Sequence, residues 1–452
     1  MGDADAAGPG TGARVSRTWL VSLAVSLVAV TAAVTLTLYW GGAFSAGASR
    51  HSSSVTLGPQ PQPTSPQPDG AGPSGPVNGL SQWLDEGVVR ALSPAQWATI
   101  ARQNSIVVLN SWDYQLIPIL KAANPNVRVY VYKDLSGIRS DDCTTTGGAC
   151  GSCPPGVVDG TLLSSGMGYC WVRHYRPQWL LPSAGSGQPL QFAGYPNIWE
   201  TDYGDLAYLR QWLQNVLADV RSHGWDGVEI DNALTRADSY GVARKYRTDQ
   251  EVQAATYSAL RYLGPQLSHA NVGAVFNVGY ATRFAGLWQR WLRPVGGLMQ
   301  EFYLSSTAHP GAAGELWRAY QAEVSSCAAL HKACWFHSGN YAGAVDLGAR
   351  EYALASFLLG ADARQYLAVG SPATMPFNGC RGLGAPLGPM VAAGNVVSRR
   401  YSNGIVVVNP SGVTASVALS HDYFAGDKAV SSLRLDPKSG VVLGLTSGLA
   451  CE

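Results

Sequence analysis

Short apolar segments alternate with helix-like segments along most of this chain. Each apolar segment is five to seven residues long, and the residues between two of them have the apolar spacing of an amphipathic helix. The apolar segments lie at 106–110, 127–132, 227–231, 272–278, 297–303, 333–337 and 365–369, and one further strand is expected within 178–202. Eight strands at roughly 31–33 residues per unit predict an α/β fold, a (β/α)8 TIM barrel. An open doubly wound sheet is the weaker alternative, because no glycine-rich phosphate loop follows any strand.

The segment 225–232, with the sequence WDGVEIDN, has the clearest chemical pattern. Side chains alternate along a strand, so Gly227, Glu229 and Asp231 share one face of this predicted strand. Two carboxylates on one buried face are too costly to leave unpaired in an ordinary core. Because TIM-barrel enzymes carry their sites at the carboxyl ends of the strands, this pair indicates a functional site. A salt-bridged structural pair is the alternative interpretation.

Glycoside hydrolysis requires two carboxyl groups that flank the scissile bond, and this chain has two candidates at predicted strand ends. Asp231 ends the fourth predicted strand and Glu301 lies in the sixth. One group would protonate the leaving oxygen, while the other would attack the anomeric carbon or activate water. The sequence does not fix their separation, so retention and inversion both stay open. The residues predicted to bind substrate hydroxyls are Asn110, Trp112, Lys133, Asp134, Asp202, Glu229, Asn232, Asn277, Tyr303 and His337.

Three motifs resemble those of the bacterial glycosyl-hydrolase-like barrel proteins, over about residues 80–450. They are YKD at 132–134, GWDGVEIDN at 224–232, and a C-terminal pair with NP at 409–410 and KSGVVL at 438–443. The second motif is also similar to those of polygalactosaminidase and α-galactosidase-like barrels. The resemblance implies that Asp231 is the nucleophile or base and Glu301 the general acid, and it names no substrate. The chitinase signature is matched less well, because Ala233 stands where that signature has its acid.

The N-terminal residues predict a membrane anchor. Residues 19–40 contain no charged side chain, and about 20 apolar residues suffice to span a bilayer. Arg14 and Arg17 precede this run, so we expect residues 1–18 in the cytoplasm and the rest of the protein outside the cell. A secretory signal cleaved near Ala48 is the alternative.

The remaining chain divides into a linker and two folded domains. Residues 41–79 are rich in proline, glycine and serine, which predicts an extended linker. Residues 80–375 form the predicted barrel domain. Within it, the long irregular segment 135–204 is expected to overhang the site. Short β-rich runs separated by turn sequences predict a small antiparallel β-sandwich at 376–452.

Eight cysteines in an exported chain favour disulfide bonds over a metal site. Cys327 and Cys334 bracket one turn and are expected to pair, and Cys380 would pair with Cys451. The four others, whose pairing stays open, are Cys143, Cys150, Cys153 and Cys170. Zinc is the alternative there, because Cys150 and Cys153 have ligand-like spacing.

Composition narrows the class of partner. The formal net charge is +1 and no basic cluster is present, which argues against a nucleic-acid partner. The 14 tryptophans and 21 tyrosines suit a carbohydrate-facing surface. We therefore expect a glycoside hydrolase of an extracellular or cell-wall polysaccharide, needing no cofactor. A non-catalytic, membrane-tethered glycan-binding protein is the alternative.

Overall fold

The computed structural model describes residues 53–57, 78–84, 86–142, 162–192, 194–304, 311–339, 347–370, 380, 382–449 and 451. The predicted cytoplasmic segment 1–18 and the predicted anchor 19–40 lie outside these residues. Within the described part of the chain, no helix combines the length and apolar character needed to cross a membrane.

The strands up to residue 370 fall into a barrel and a small side sheet, except β1, which joins the C-terminal sheet. They are β1 (Ser53–Thr56), β2 (Asn78–Trp83), β3 (Ile106–Leu109), β4 (Arg128–Asp134), β5 (Gly137–Arg139), β6 (Gln191–Phe192), β7 (Tyr195–Glu200), β8 (Gly227–Asp231), β9 (Gly273–Asn277), β10 (Gly297–Gln300), β11 (Trp335–Ser338) and β12 (Tyr366–Val369). Eight of them close into a parallel barrel in the order β2-β3-β4-β8-β9-β10-β11-β12, with β12 beside β2. This confirms the predicted TIM barrel.

The described helices lie between successive strands. They are α1 (Glu86–Ala91), α2 (Pro94–Gln103), α3 (Ile117–Ala123), α4 (Tyr169–Tyr175), α5 (Leu206–His223), α6 (Asp249–His269), α7 (Leu287–Leu292), α8 (Gly314–Ala329) and α9 (Leu347–Gly360). Local sequence sets their ends. Ser93 and Thr248 form capping boxes at the starts of α2 and α6. Gly224 ends α5 in the left-handed conformation, with φ 76°.

One strand of the barrel was predicted in the wrong place. The strand expected within 178–202 is β7, which pairs antiparallel with β5 and β6 in a separate three-stranded sheet. The first barrel strand is instead β2, whose sequence NGLSQW is too polar to be recognised as an apolar run. The two errors cancel in the strand count, so Asp231 still ends the fourth barrel strand and Glu301 directly follows the sixth.

The barrel interior has an apolar lower part and a polar upper part. Leu80, Val108, Tyr130, Met299 and Trp335 pack against one another in the lower part and are almost fully buried. Two residues further along several strands, polar side chains replace the apolar ones. Alternation therefore directs those polar groups to the carboxyl-terminal mouth of the barrel.

The C-terminal strands form an antiparallel β domain, as predicted. They are β13 (Val391–Ala393), β14 (Val396–Tyr401), β15 (Gly404–Asn409), β16 (Ala415–Ala425), β17 (Lys428–Leu435) and β18 (Ser439–Gly444). With β1 they make one connected seven-stranded sheet. Val406 and Val408 belong to the large core that includes α9, whereas Ile405 and Val407 belong to a second, smaller core. The sheet is thus attached to the barrel through α9.

Part of the predicted linker is a strand. Residues 53–56 pair in parallel with the start of β16, and Leu57 is buried in the smaller core of the β domain. The prediction of an extended linker for 41–79 is therefore wrong for residues 53–57, because Val55 and Leu57 give this segment an apolar face. It is also wrong at its end, since β2 begins at Asn78.

Two of the predicted disulfide bonds are confirmed. Cys327 pairs with Cys334, and Cys380 pairs with Cys451. Cys143, Cys150 and Cys153 lie outside the described residues, so the pairing and the zinc alternative there stay predictions. Among the residues that are described, no group of histidine, cysteine and acidic side chains could hold a metal ion.

Candidate active site

Asn277 connects the two carboxylates that were predicted to be catalytic. It ends β9, between β8 and β10, and its Nδ2 donates to Asp231 Oδ1 at 2.8 Å and to Glu301 Oε2 at 3.0 Å. Both oxygens lie within 3.0 Å of one nitrogen, so they are no more than about 6 Å apart. Closure of the barrel therefore brings the two carboxyl groups together at one point of its mouth.

Further donors fix the orientation of Asp231. Tyr132 donates its hydroxyl to Asp231 Oδ2 at 2.6 Å, and the backbone N–H of Asn232 donates to Asp231 Oδ1 at 2.7 Å. Asn232 has φ 56°, a left-handed conformation that asparagine tolerates better than most residues. Its side chain also donates to Asp134 Oδ2 at 2.8 Å. Asn232 thus holds two carboxyl groups in place.

Several carboxyl groups lie close together and buried at the site, and this changes their pKa values. Burial, and next the charge of Asp231, raise the pKa of Glu301 to about 7. Burial followed by the charge of Asp231 also raises the pKa of Asp134 well above its usual range, against hydrogen bonds from Gly137, Asn232 and Ser136. Glu301 therefore stays protonated to near neutral pH, which is the property required of a general acid.

His337 lies beside Glu301, but its imidazole ring is not protonated and so cannot serve as an imidazolium acid. It is 1% exposed, and its Nε2 is 3.0 Å from the carbonyl oxygen of Gly370. Burial lowers the pKa of His337 to about 4, although hydrogen bonding to the backbone of Gly370 and Glu301 opposes this shift. The ring is therefore neutral at physiological pH and supports the β11 side of the mouth.

Asn110 and Trp112 line a cavity next to the carboxylates. This β3–β4 cavity has a volume of about 320 Å³. It is lined by Leu84, Asn110, Trp112, Tyr132, Arg139, Asp141, Asp142 and Ser164. Tyr132, which lines this cavity, also donates to Asp231, so Tyr132 lies between the cavity and the carboxylate pair.

Lys133 is not at the site, contrary to the prediction. It is 1% exposed and its Nζ lies 2.6 Å from Asp219 Oδ2 on α5. Neighbouring residues of a strand point to opposite faces, so Tyr132 and Asp134 face the barrel interior while Lys133 faces the helix layer. The predicted contact with substrate is therefore wrong, and the role of Lys133 is structural.

Tyr303 and Asp202 also have other partners. Tyr303 is fully buried, accepts a hydrogen bond from Gln321 and packs against Phe336, so the predicted contact of Tyr303 with substrate is wrong. Asp202 accepts hydrogen bonds from Lys245 at 2.6 Å and from Tyr246 at 2.5 Å. The predicted contact of Asp202 with substrate therefore has no support in its geometry.

Glu229 lies one layer below Asp231, inside the barrel. It is 1% exposed and accepts a hydrogen bond from Gln82 Nε2 at 2.6 Å. Burial, and next the charge of Asp231, raise its pKa to about 8. Glu229 is therefore a neutral, buried group at pH 7, and the prediction that it binds substrate is wrong.

Removing the Lys133 side-chain charge should destabilise the fold. Lys133→Met would leave Asp219, which is 0% exposed, without its ammonium partner. Removal of one member of a buried pair costs about 3–5 kcal/mol, so the free energy of unfolding in urea should fall by that amount. The matched control is Lys121→Met, because Lys121 and Asp226 are 30% and 31% exposed. That loss should stay below about 1 kcal/mol, and equal losses for the two variants would contradict the assignment.

Three residues near the carboxylates were not predicted from sequence: Tyr132, Arg139 and Tyr195. Tyr195 is on β7 in the side sheet and is 55% exposed. Burial, and next the charges of Glu301 and Asp231, raise the pKa of Tyr195, so this side chain lies within electrostatic range of both carboxyl groups. This agrees with the expectation that segment 135–204 overhangs the site. Tyr132 could have been identified, because it shares the inward face of β4 with Asp134.

A closed barrel with paired carboxyl groups at the ends of its strands is the arrangement of a glycoside hydrolase. Comparison with known families agrees. The family described as hypothetical glycosyl hydrolase family 15 matches residues 121–405, which is more than half of the chain. The protein therefore belongs to that family. No curated protein sequence matches the chain.

Solved structures with similar folds include other glycoside hydrolases. The glycoside hydrolase domain of PelA from Pseudomonas aeruginosa is 14% identical, over 65% of this chain and 95% of that one, with a TM-score of 0.39. Ega3 from Aspergillus fumigatus, in complex with galactosamine, is 11% identical over 66% and 92%, with a TM-score of 0.36. A GH27 β-L-arabinopyranosidase from Geobacillus stearothermophilus is 8% identical over 83% and 97%, with a TM-score of 0.47.

Proposed function

We propose that the protein hydrolyses glycosidic bonds of an extracellular or cell-wall polysaccharide, with Asp231 as the nucleophile and Glu301 as the general acid. The observation that carries the proposal is the hydrogen bonding of both carboxyl groups to Asn277 Nδ2. Their hydrogen-bond donors are the neutral groups Asn277, Tyr132 and the backbone of Asn232. Asp231 and Glu301 have no ion pair among the described residues.

In the proposed mechanism the two carboxyl groups have different charges. Glu301, whose pKa is about 7, donates its proton to the leaving glycosidic oxygen. Asp231 attacks the anomeric carbon and forms a covalent glycosyl-enzyme intermediate, while Tyr132 and Asn277 hold its carboxylate in position. Glu301, now ionised, then removes a proton from water, which attacks the same carbon and releases the sugar.

The short separation of the carboxyl groups favours this two-step route. Retaining glycosidases have their carboxyl groups about 5–5.5 Å apart, whereas inverting enzymes need about 6.5–9.5 Å to admit a water. Asp231 Oδ1 and Glu301 Oε2 can be no more than about 6 Å apart, which is below the range of inverting enzymes. We therefore expect hydrolysis with retention of the anomeric configuration.

The pH dependence of activity should follow the protonation of Glu301. Glu301 must be protonated, so kcat/KM should be largest below about pH 7 and fall about tenfold per pH unit above it. The measurement is the initial rate of reducing-sugar release between pH 5 and pH 9. A rate that rises continuously across that range would contradict the assignment of Glu301 as the acid.

The substrate is found by a screen. The full chain is incubated with microbial exopolysaccharides and cell-wall glycans, and new reducing ends are measured. The Asp231→Asn, Glu301→Gln double variant is the blank. Release by the parent alone would support a hydrolase. Glycan binding by both proteins without release by either would favour the glycan-binding alternative.

We also propose that the protein is anchored in the membrane through residues 19–40, with the barrel domain outside the cell.

A further inference from the structure

We propose that Glu323 on α8 is a positioning residue for Glu301, acting through the side chain of Gln300. The proposal rests on the proposed hydrolase function, because Glu301 is the general acid of that mechanism. It gives a role to a buried carboxyl group in the helix layer that the mechanism does not otherwise use.

The pairing of strands does not reach the backbone that carries Glu301. Strand β10 ends at Gln300, which is the last residue in its register with β11. The next backbone hydrogen bond to that side runs from the Tyr303 N–H to the carbonyl oxygen of His337, at 2.9 Å. Glu301 and Phe302 lie between these two points, so side chains must supply further constraints on them.

The Gln300 side chain supplies one of these constraints. Gln300 is fully buried, and its Oε1 accepts a hydrogen bond from the backbone N–H of Phe302 at 3.2 Å. Neighbouring residues of a strand point to opposite sides, so Gln300 faces the helix layer while Glu301 faces the barrel mouth. The orientation of the Gln300 amide therefore fixes the backbone on both sides of Glu301.

Glu323 sets the orientation of that amide. Gln300 Nε2 donates to Glu323 Oε2 at 3.0 Å, and Glu323 is 3% exposed. Burial raises the pKa of Glu323 to about 8, although the hydrogen bond from Gln300 opposes this shift, so the carboxyl group is neutral at pH 7. Within the described part of the chain, Glu323 Oε1 has no hydrogen-bond partner and no cation pairs with Glu323.

Stability alone does not account for this pair. Replacing both members of a buried hydrogen-bonded pair by apolar groups of the same shape is nearly neutral, so two apolar side chains would serve an ordinary contact between helix and strand. They could not fix the direction of an amide. Helix α8 is a firm support for this purpose, because Cys327, one turn after Glu323, is disulfide-bonded to Cys334 directly before β11.

Steady-state kinetics of the full chain, on the polysaccharide that the screen identifies, test this role. The double variant Gln300→Met, Glu323→Met keeps the packing but leaves the Phe302 N–H without its acceptor. Because misplacing a catalytic group by about 1 Å can cost about 10²-fold, kcat should fall by about 10–100-fold while KM changes by less than about twofold. Glu323→Gln retains an oxygen that accepts from Gln300, so its kcat should stay within about twofold of the parent.

The matched control is Gln321→Met. It removes a buried amide from the same helix, one that donates to the Tyr303 hydroxyl at 3.0 Å. Its kcat should stay close to that of the parent. If the double variant does not fold in a urea titration, Glu323→Asp takes its place. This change withdraws the carboxyl group by one methylene and should lower kcat several-fold.

The titration of Glu301 is a second readout that needs no turnover. Carbon-13 NMR of protein labelled at the glutamate carboxyl groups follows it, and the Glu301→Gln variant identifies its signal. Burial, and next the charge of Asp231, raise the pKa of Glu301 to about 7 in the parent. A displaced Glu301 loses part of both effects, so it should titrate at lower pH in the double variant and as in the parent in Glu323→Gln.

Three results would overturn the inference: an unchanged kcat or an unchanged Glu301 titration in the folded double variant, a higher KM with kcat retained, or an equal loss of kcat with Gln321→Met. The proposed hydrolysis can fail separately. A parent that releases no reducing ends, with a lowered Glu301 titration in the double variant, would refute the hydrolysis and leave the positioning role standing. Hydrolysis by the parent with an unchanged kcat in the double variant would do the reverse.

Discussion

Asp231→Asn is expected to reduce kcat by about 10⁴–10⁶-fold, the range seen when a nucleophile or its partner is removed. The asparagine has nearly the same shape, so the hydrogen bonds from Tyr132 and Asn277 can be largely kept while the attacking carboxylate is lost. Substrate binding should be retained. The measurement is the rate of reducing-sugar release at saturating polysaccharide, together with the Kd for the same polymer.

Glu229→Gln is the matched control for that variant. It changes the same kind of group, in the same strand and on the same inward face, two residues earlier. Because the pKa of Glu229 is about 8, this side chain is already neutral at pH 6, and Gln82 can still donate to the new amide oxygen. Activity should stay within a few-fold of the parent. If the two variants lost activity equally, Asp231 could not be assigned as the nucleophile.

Glu301→Gln is expected to lower kcat on polysaccharide by about 10²–10⁴-fold, the usual contribution of a general acid. The loss should depend on the leaving group. A nitrophenyl glycoside of the same sugar needs no proton on its leaving oxygen, so its cleavage to the covalent intermediate should fall by less than about tenfold. The measurement is the burst of nitrophenol in the first turnover.

The pH profile separates this role from a structural one. With the polysaccharide, the residual activity of the Glu301→Gln variant should lack the decrease in rate above pH 7 that the parent shows, because the titrating group is gone. An unchanged alkaline decrease in this variant would assign that titration to a different group.

The barrel could be predicted from sequence because apolar residues recur with a different spacing in its strands than in its helices. The carboxylate-tipped strand β8 lies where it was predicted, and the helix α5 before it has the apolar spacing of an amphipathic helix. Strand β2 could not be recognised in the same way. Its sequence, NGLSQW, places Gln82 inside the barrel, where it is satisfied by Glu229, a residue 147 positions away. Local patterns contain no information about such a distant partner.

The two carboxyl groups proposed to be catalytic were predicted from sequence, but their connection through Asn277 was not. Asn277 was predicted to bind substrate, and its position between Asp231 and Glu301 follows only from closure of the barrel. The error at Lys133 was avoidable, since alternation along β4 already separates it from Tyr132 and Asp134. Tyr195 had no such signal. It reaches the site because β7 pairs with β5 in a sheet beside the barrel mouth.

The anomeric configuration of the first product tests the central claim most directly. In the proposed mechanism Asp231 and Glu301, held by Asn277, are the nucleophile and the acid of a two-step displacement. Proton NMR of a digest, recorded within the first minutes and before mutarotation, shows which anomer is released. We expect the same anomeric configuration as in the polysaccharide. Release of the opposite anomer would show that water attacks directly, and would contradict Asp231 as a covalent nucleophile.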